Sequence, residues 1–315
     1  MGSVTRQNQL PVLDFTGETL NPSSTRWLST REEVVRALEE YGCFIANYDK
    51  VSLELHQAIF LASQELFELP TETKVLNTSD SPSHGYIAHR RIPLLEALGI
   101  ENATTVDGVQ RFTNVLWPNG NNHFSETALS YSKLVAELNH VVMRMVAETY
   151  GVEKDCESLL GSIYYLLRLI KYRAPREDES NVGLFPHADQ TFMSILHQAQ
   201  VNGLEIMTKN GDWMLIDSLS PSSFIVMAGD VCMAWTNGRI EPPLHRVTIM
   251  SGSEQRYSLS LFAFMRDVMV QVPEKLVDDE HPLQYKPFDP FKYLLFCVTE
   301  EGQKSKCQIK SYCGV

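Results

Sequence analysis

Apolar residues recur at helical steps in three stretches of the first half of the chain. Over residues 31–41, Val34, Val35 and Leu38 alternate with Arg31, Glu32, Arg36, Glu39 and Glu40, which places one apolar stripe along a helix. Leu55, Ile59, Ala62 and Leu66 repeat the pattern over 53–68, and Pro70 stops it, because proline cannot continue the hydrogen-bond ladder. The longest run, 126–150, carries Leu134, Leu138, Val142, Met145 and Val146 and ends at Gly151, a residue suited to a helix C-terminus. Between the second and third helices, residues 77–122 hold Ser, Pro, Gly and Asn clusters and read as long irregular loops around short elements.

Beyond residue 160 the texture changes. Tyr164–Lys171, Thr191–His197, Leu204–Met207, Trp213–Asp217, Phe224–Met227, Val231–Trp235, His245–Ile249, Tyr257–Met265 and Val268–Val272 read as short strands. Asn202-Gly203, Asn210-Gly211, Gly229-Asp230 and Asn237-Gly238 fall between them, and such dipeptides favour tight turns. Strands this short, with almost no helix between them, specify an antiparallel sandwich or barrel rather than alternating β-α units. Pro290–Thr299 predicts a closing helix. The expected organisation is a helical, loop-rich region over 1–160 packed on a β core over 161–315, as one structural unit.

At 315 residues and 43% hydrophobic, the chain is long enough for a deep core. Its 27 Lys and Arg against 39 Asp and Glu leave a net charge of −12. That excludes the basic stripe a nucleic-acid partner requires and a patch for anionic membranes. No apolar run reaches the roughly 18 residues of a membrane helix, and the start, Met1-Gly2-Ser3-Val4-Thr5-Arg6, lacks the pattern of a secretory signal. Cys43, Cys156, Cys232, Cys297, Cys307 and Cys313 form no C-x-x-C pair and read as free thiols in a reducing cytoplasm. A monomer is the expectation.

Of the nine histidines, one is followed two places later by a carboxylate: His187-Ala188-Asp189. Alone the pattern is weak, since a histidine in a strand is more often hydrogen-bonded than ligating. Residues i and i+2 of an extended chain face the same side, however, so both side chains can reach one ion. His245, 58 residues on, supplies a third donor from a strand distant in sequence. Two histidines and one carboxylate leave coordination positions open, as in non-haem Fe(II) oxygenases. Arg256-Tyr257-Ser258 follows 11 residues later and sets a guanidinium and a hydroxyl on one face, a fork for a carboxylate. A zinc hydrolase would carry His-Glu-x-x-His on a helix; no such motif occurs.

The series His187-x-Asp189, His245, Arg256-x-Ser258 resembles the plant 2-oxoglutarate- and Fe(II)-dependent dioxygenases. Pro11-Val12-Leu13-Asp14-Phe15 looks like their opening strand, and Tyr41-Gly42-Cys43-Phe44 like the strand after their first helix. Gly203-Leu204-Glu205-Ile206, Gly211-Asp212-Trp213, Ala228-Gly229-Asp230, Thr236-Asn237-Gly238-Arg239 and His245-Arg246-Val247 keep the family's order, so the likeness spans nearly the whole chain. Lys171-Tyr172-Arg173 with Trp117-Pro118-Asn119-Gly120 is most similar to the shorter members, those acting on glucosinolate side chains and oxidising auxin.

The resemblance implies a mainly β fold with flanking helices around a double-stranded β-helix, the cupin-like jelly roll. It implies that His187, Asp189 and His245 hold Fe(II) and carry catalysis. Arg256 and Ser258 would bind the distal carboxylate of 2-oxoglutarate, with Tyr172 touching the same co-substrate. O₂ is the second reactant and ascorbate a candidate reductant. The implied reaction hydroxylates, or oxidatively demethylates, a small apolar plant specialised metabolite or hormone and releases succinate and CO₂. The carboxylate of Asp189 argues against halogenation, which needs a small residue there. One departure stands out: where the family often has Asn-Tyr-Tyr-Pro, this chain reads Lys171-Tyr172-Arg173-Ala174-Pro175, placing cations where an amide touches the co-substrate. Phe262 and Phe264 share the parity of Arg256 and, with Phe185 and Phe112, are expected to shape the substrate pocket. His84, Tyr86 and Trp117 are expected in a lid. A ligand-binding jelly roll without turnover, and an iron oxidase that dispenses with 2-oxoglutarate, remain the alternatives.

Overall fold

In the first half of the chain, helices form where caps and apolar stripes coincide. The computed structural model describes residues 10–22, 24–217 and 219–315; the start of the chain, on which the absence of a secretory signal was read, lies outside them. β1 (Val12–Asp14) leads to α1 (Thr25–Tyr41), whose first turn is capped by Ser24 accepting from the Trp27 amide at 3.0 Å. Gly42 ends α1 in the left-handed conformation, φ 70°, and β2 (Cys43–Asn47) follows. α2 (Leu53–Phe67) is capped by Ser52, and the single turn α3 (Thr71–Lys74) comes after Pro70. Next are β3 (Leu95–Glu101), α4 (Val106–Leu116), the 29-residue α5 (Asn122–Tyr150) and α6 (Glu153–Leu160). The strand β3 and helix α4 are the short elements expected within the loops of 77–122. The buried side of α4 is Val109, Phe112, Thr113 and Leu116, at successive steps of three, one and three, a stripe that Gly108 and the flanking polar residues obscured.

The strands then come in quick succession: β4 (Ile163–Tyr172), β5 (Val182–His187), β6 (Met193–Gln198), β7 (Leu204–Met207), β8 (Trp213–Leu215) and β9 (Ser223–Ala228). After the short helix α7 (Asp230–Trp235) come β10 (His245–Thr248) and β11 (Arg256–Met265), then α8 (Pro290–Cys297), α9 (Glu300–Lys304) and α10 (Gln308–Cys313). One sheet runs β1-β2-β9-β6-β11-β4-β3 and the other β5-β10-β7-β8. The orders β4-β11-β6-β9 and β5-β10-β7-β8 alternate strands between two sheets as a jelly roll does. The N-terminal half therefore supplies three strands that extend both edges of the large sheet.

Three strand expectations change. Val231–Trp235 is helical in α7, since a short, wholly buried apolar run has no periodicity to separate helix from strand. Val268–Val272 makes only the isolated bridge Val270–Phe288. β5 escaped notice because Gly183 and Pro186 interrupt it.

Side-chain parity divides the large sheet into two faces. Tyr257, Leu259, Leu261, Ala263 and Met265 of β11, with Tyr165, Leu167 and Leu169 of β4, join the core formed with the helices. The even-numbered residues face the interior of the roll. On the helical side, His197 is fully buried among Tyr131, His56, Phe60 and Phe224. Its Nε2 donates to the Pro221 carbonyl at 2.9 Å and its Nδ1 accepts from the Tyr131 hydroxyl at 3.1 Å. Burial pushes this imidazole down to about 3, and the neighbouring His56 adds to the shift.

A neutral buried histidine is protonated only in the unfolded chain, where its pKa is about 6.5. Stability should therefore fall as pH drops below about 6.5, by about 2 kcal/mol from His197 alone between pH 7 and pH 5. Urea denaturation at both pH values measures it. A His197→Gln variant with the same pH dependence as the parent would show that the loss arises elsewhere.

Candidate metal centre and co-substrate clamp

His187 is the last residue of β5 and His245 the first of β10, and the antiparallel ladder sets them directly opposite each other. Cross-strand partners lie close enough to share a ligand; here the ring centroids are 4.1 Å apart. Asp189 sits two residues beyond the end of β5, in the connection to β6, so the pair straddles a strand end rather than lying along one strand. Its Oδ1 lies 3.7 Å from Nε2 of each histidine. One ligand atom from each of the three residues falls within 4.8 Å of the others.

The surroundings prepare these atoms. His187 Nδ1 donates to the Phe185 carbonyl at 2.9 Å, and His245 Nδ1 to the Pro243 carbonyl at 3.1 Å. In a neutral imidazole such a bond puts the proton on Nδ1 and turns the Nε2 lone pair toward Asp189, the usual way a backbone carbonyl fixes the tautomer of a ligand. Burial, reinforced by His187 alongside, holds the His245 imidazole well below its ordinary pKa, and so neutral. Asp189 Oδ2 is buried with no hydrogen-bond partner among the described residues, an unsatisfied acceptor that a cation would satisfy. These donors suit iron.

The turn after β9 supports the Asp189 connection. The Asp230 amide donates to the Asp189 carbonyl at 2.8 Å, and Gly229 N to Phe192 O at 3.1 Å. A Cβ on Gly229 would lie 2.1 Å from the Thr191 carbonyl oxygen, so only glycine permits this approach. The Tyr293 hydroxyl of α8 donates to the Asp230 carboxylate. Ala228-Gly229-Asp230 thus acts as a brace beneath the ligand loop.

Arg256 opens β11, 2% exposed, with Tyr172 its partner on β4. Nη1 donates to Ser258 Oγ at 3.1 Å and Nη2 to Gln198 Oε1 at 3.0 Å, while the guanidinium lies over the Tyr172 ring at 5.2 Å. Its Nε is buried with no hydrogen-bond partner among the described residues. Burial lowers the Arg256 pKa, yet every group bonded to it is neutral. A buried guanidinium with a free donor is suited to a carboxylate. The glycine of Asn202-Gly203 makes room, since a Cβ there would reach Arg256 Cδ at 3.3 Å and the Thr248 carbonyl oxygen at 2.7 Å.

A cavity of about 800 Å³ opens beside His187 and Asp189. Phe262 and Phe264 line it, as does His84; Leu184, Ile170 and Leu166 complete the apolar wall. Phe112 does not reach it, stacking on Phe124 in the helical core at 5.6 Å, because its parity on α4 points toward α5. Phe185 is 52% exposed and absent from the cavity wall. Trp117 packs on Phe124, and the Tyr86 hydroxyl donates to Glu96. Lys171 and Arg173 also turn away, toward Glu68 and Glu179, so the departure from the family's amide adds no cation to the pocket. Two contributors were missed. Residues 305–308 and Lys310 border the cavity, and no sequence signal brings the C-terminus there. Arg168 lines it too, betrayed by a lone charge in the run Tyr164-Tyr165-Leu166-Leu167-Arg168-Leu169-Ile170.

A jelly roll carrying an open-sided two-histidine, one-carboxylate set defines the non-haem iron oxygenase class. Residues 157–264 match the 2OG-Fe(II) oxygenase superfamily, and residues 10–94 the non-haem dioxygenase in morphine synthesis N-terminal region. The chain is 43% identical to "Probable 2-oxoglutarate-dependent dioxygenase AOP1.2" of Arabidopsis thaliana, over 96% of this chain and 95% of that protein. Among solved structures it resembles the rice dioxygenase for auxin oxidation, with a TM-score of 0.80 and 26% identity over 98% of this chain and 100% of that one. The Arabidopsis auxin-oxidation dioxygenase in complex with 2-oxoglutarate superposes with a TM-score of 0.77 at 28% identity, over 87% of this chain and 100% of that one. The chain belongs to the 2OG-Fe(II) oxygenase superfamily.

His187→Ala, Asp189→Ala and His245→Ala should each weaken Co(II) binding by more than the roughly 10–100-fold effect typical of outer-sphere partners. Titration followed by the visible absorbance of Co(II) measures this, with circular dichroism to confirm folding. Undiminished binding in any one of the three removes that residue from the set.

Proposed function

We propose that this protein is an Fe(II)/2-oxoglutarate-dependent oxygenase that hydroxylates, or oxidatively demethylates, a small, largely apolar plant metabolite or hormone. The overall balance is 2-oxoglutarate + O₂ + R–H giving succinate + CO₂ + R–OH; loss of formaldehyde from a hydroxylated methyl ether or amine gives the demethylated product. The observation that carries this reading is the meeting of His187, Asp189 and His245 on the fold that also buries Arg256 with no acidic partner among the described residues. Named relatives among 2-oxoglutarate-dependent dioxygenases support it.

Iron held by His187, Asp189 and His245 would supply the open positions for a 2-oxo acid and for O₂. The chain's own groups do the rest. The two Nδ1–H bonds to backbone carbonyls keep the imidazoles pointed at one centre. Arg256 and Ser258 take the distal carboxylate, and Tyr172, under the guanidinium, flanks the same anion; this fixes the co-substrate's far end so that its 2-oxo acid end is presented in one orientation. Phe262 and Phe264 line the space for the substrate and keep water from the reacting C–H. Ascorbate would serve as an external reductant. Six free thiols among the described residues support a reducing cytoplasm, and the net charge of −12 supports the absence of a nucleic-acid or anionic-membrane partner, with a monomer as the simplest state; among the described residues no helix is long and apolar enough to cross a membrane.

Succinate formation from 2-oxoglutarate, dependent on both Fe(II) and O₂, tests the reading directly. Arg256→Ala should raise KM for 2-oxoglutarate about tenfold or more, the equivalent of a charge-assisted hydrogen bond of about 1.5–3 kcal/mol, with a smaller change in kcat. An unaltered KM would exclude the clamp. Failure of N-oxalylglycine to bind would favour an oxidase that uses no 2-oxo acid.

A further inference from the structure

The inner face of β4 holds a second buried guanidinium that the co-substrate does not need. Arg168 is 7% exposed and lines the 800 Å³ cavity. Its ladder partner on β11 is Ser260, whereas Tyr172 is the partner of Arg256. Four positions of strand separate the two arginines, roughly 13 Å at the usual rise, too far for one to replace the other at the same carboxylate. Arg168 Nη1 donates to the Ser83 carbonyl and Nη2 to the Gly85 carbonyl, the latter at 3.2 Å. Carbonyls satisfy donors but leave the positive charge uncompensated, and no ion pair neutralises Arg168 among the described residues.

The other charges on the wall deepen the imbalance. Asp189 belongs to the metal set, and Asp230 accepts from the Tyr293 hydroxyl, a neutral donor that leaves its charge in place. Glu241 is exposed. Lys306 and Lys310, also exposed, border the cavity. In a chain of net charge −12, the wall outside the metal set holds three cations, Arg168, Lys306 and Lys310, against two carboxylates, Asp230 and Glu241, and a cleft focuses such a field on an incoming anion. Leu166 and Ile170 flank Arg168 on the same face of β4, Phe262 and Phe264 continue that face on β11, and Leu184 comes from β5; together they suit a flat apolar body.

We propose that the substrate is a small organic carboxylate, its apolar body lying against Phe262 and Phe264 and its carboxylate seated on the Arg168 guanidinium. The inference rests on the oxygenase reading of the same cavity and narrows its substrate to an anion. In this role Arg168 fixes which end of the molecule faces the iron ligands, so it is a specificity determinant as well as the staple of the 82–85 loop. A purely structural Arg168 would hold the loop and show no preference for charge.

The test uses naphthalene-2-carboxylate and its neutral isostere naphthalene-2-carboxamide, titrated calorimetrically into protein loaded with Mn(II) and N-oxalylglycine, so that the Arg256 clamp is already filled. The carboxylate should bind at least tenfold tighter than the amide. Arg168→Met should reduce that preference to less than twofold, and Arg168→Lys, which keeps the charge, should retain most of it. Equal binding of the two probes to the parent protein overturns the proposal, as does binding of neither, or a preference that survives Arg168→Met. If Arg168→Met fails to fold, the parent protein and Arg168→Lys decide. Should N-oxalylglycine itself not bind, the oxygenase reading fails instead, and the same pair on unloaded protein, parent against Arg168→Lys and Arg168→Met, still decides the anion question.

Discussion

His187 and His245 can address one ion only because β5 and β10 hold them opposite each other in an antiparallel ladder. A slip of one residue would send one ring to the far face of the sheet and dismantle the site. The outer face of the small sheet helps prevent that slip. Arg246 forms a fork with Glu205 across β10 and β7, Thr248 donates to the same carboxylate, and Trp213 of β8 stacks under the Arg246 guanidinium at 4.1 Å. The family-like segments around Glu205 and Trp213 therefore serve the register of the ladder, while the ligands occupy its opposite side.

The large sheet solves a different problem. Its odd-numbered faces on β4 and β11 are saturated with aliphatic and aromatic contacts to the helices, and this allows the even-numbered faces to keep charge and volume. Two buried arginines with no acidic partner among the described residues cost desolvation energy that folding alone does not return. They persist in an interior framed by rigid strands and hydrogen-bonded to neutral oxygens, where each can be neutralised by a ligand. On the proposed reading, an anion bound at each guanidinium supplies the missing charge.

Much of this chemistry was legible because it is encoded at short spacing. His187 and Asp189, and Arg256 and Ser258, are i, i+2 pairs, and the shared parity of Phe262 and Phe264 with Arg256 brought both phenylalanines to the cavity wall. Phe112 and Phe185 failed the same expectation for want of a period: Phe112 sits on a helix the loop-like composition concealed, and Phe185 on a strand broken by Gly183 and Pro186. Arg168 carried a visible signal, a single charge inside an apolar strand, whose meaning depended on which face of β4 lined the cavity.

The amino-acid order by itself determined the helices with clear stripes, most of the strands and the types of donor that meet at the centre, because periodicity and turn residues act over a few neighbours. Only the tertiary structure decided that three N-terminal strands extend the large sheet, that Val231–Trp235 coils into a helix, that Lys171 and Arg173 turn outward, and that the C-terminal segment borders the pocket. These outcomes are set by contacts between residues a hundred or more positions apart in several cases, and such pairings are fixed by packing and register rather than by any local preference of the chain.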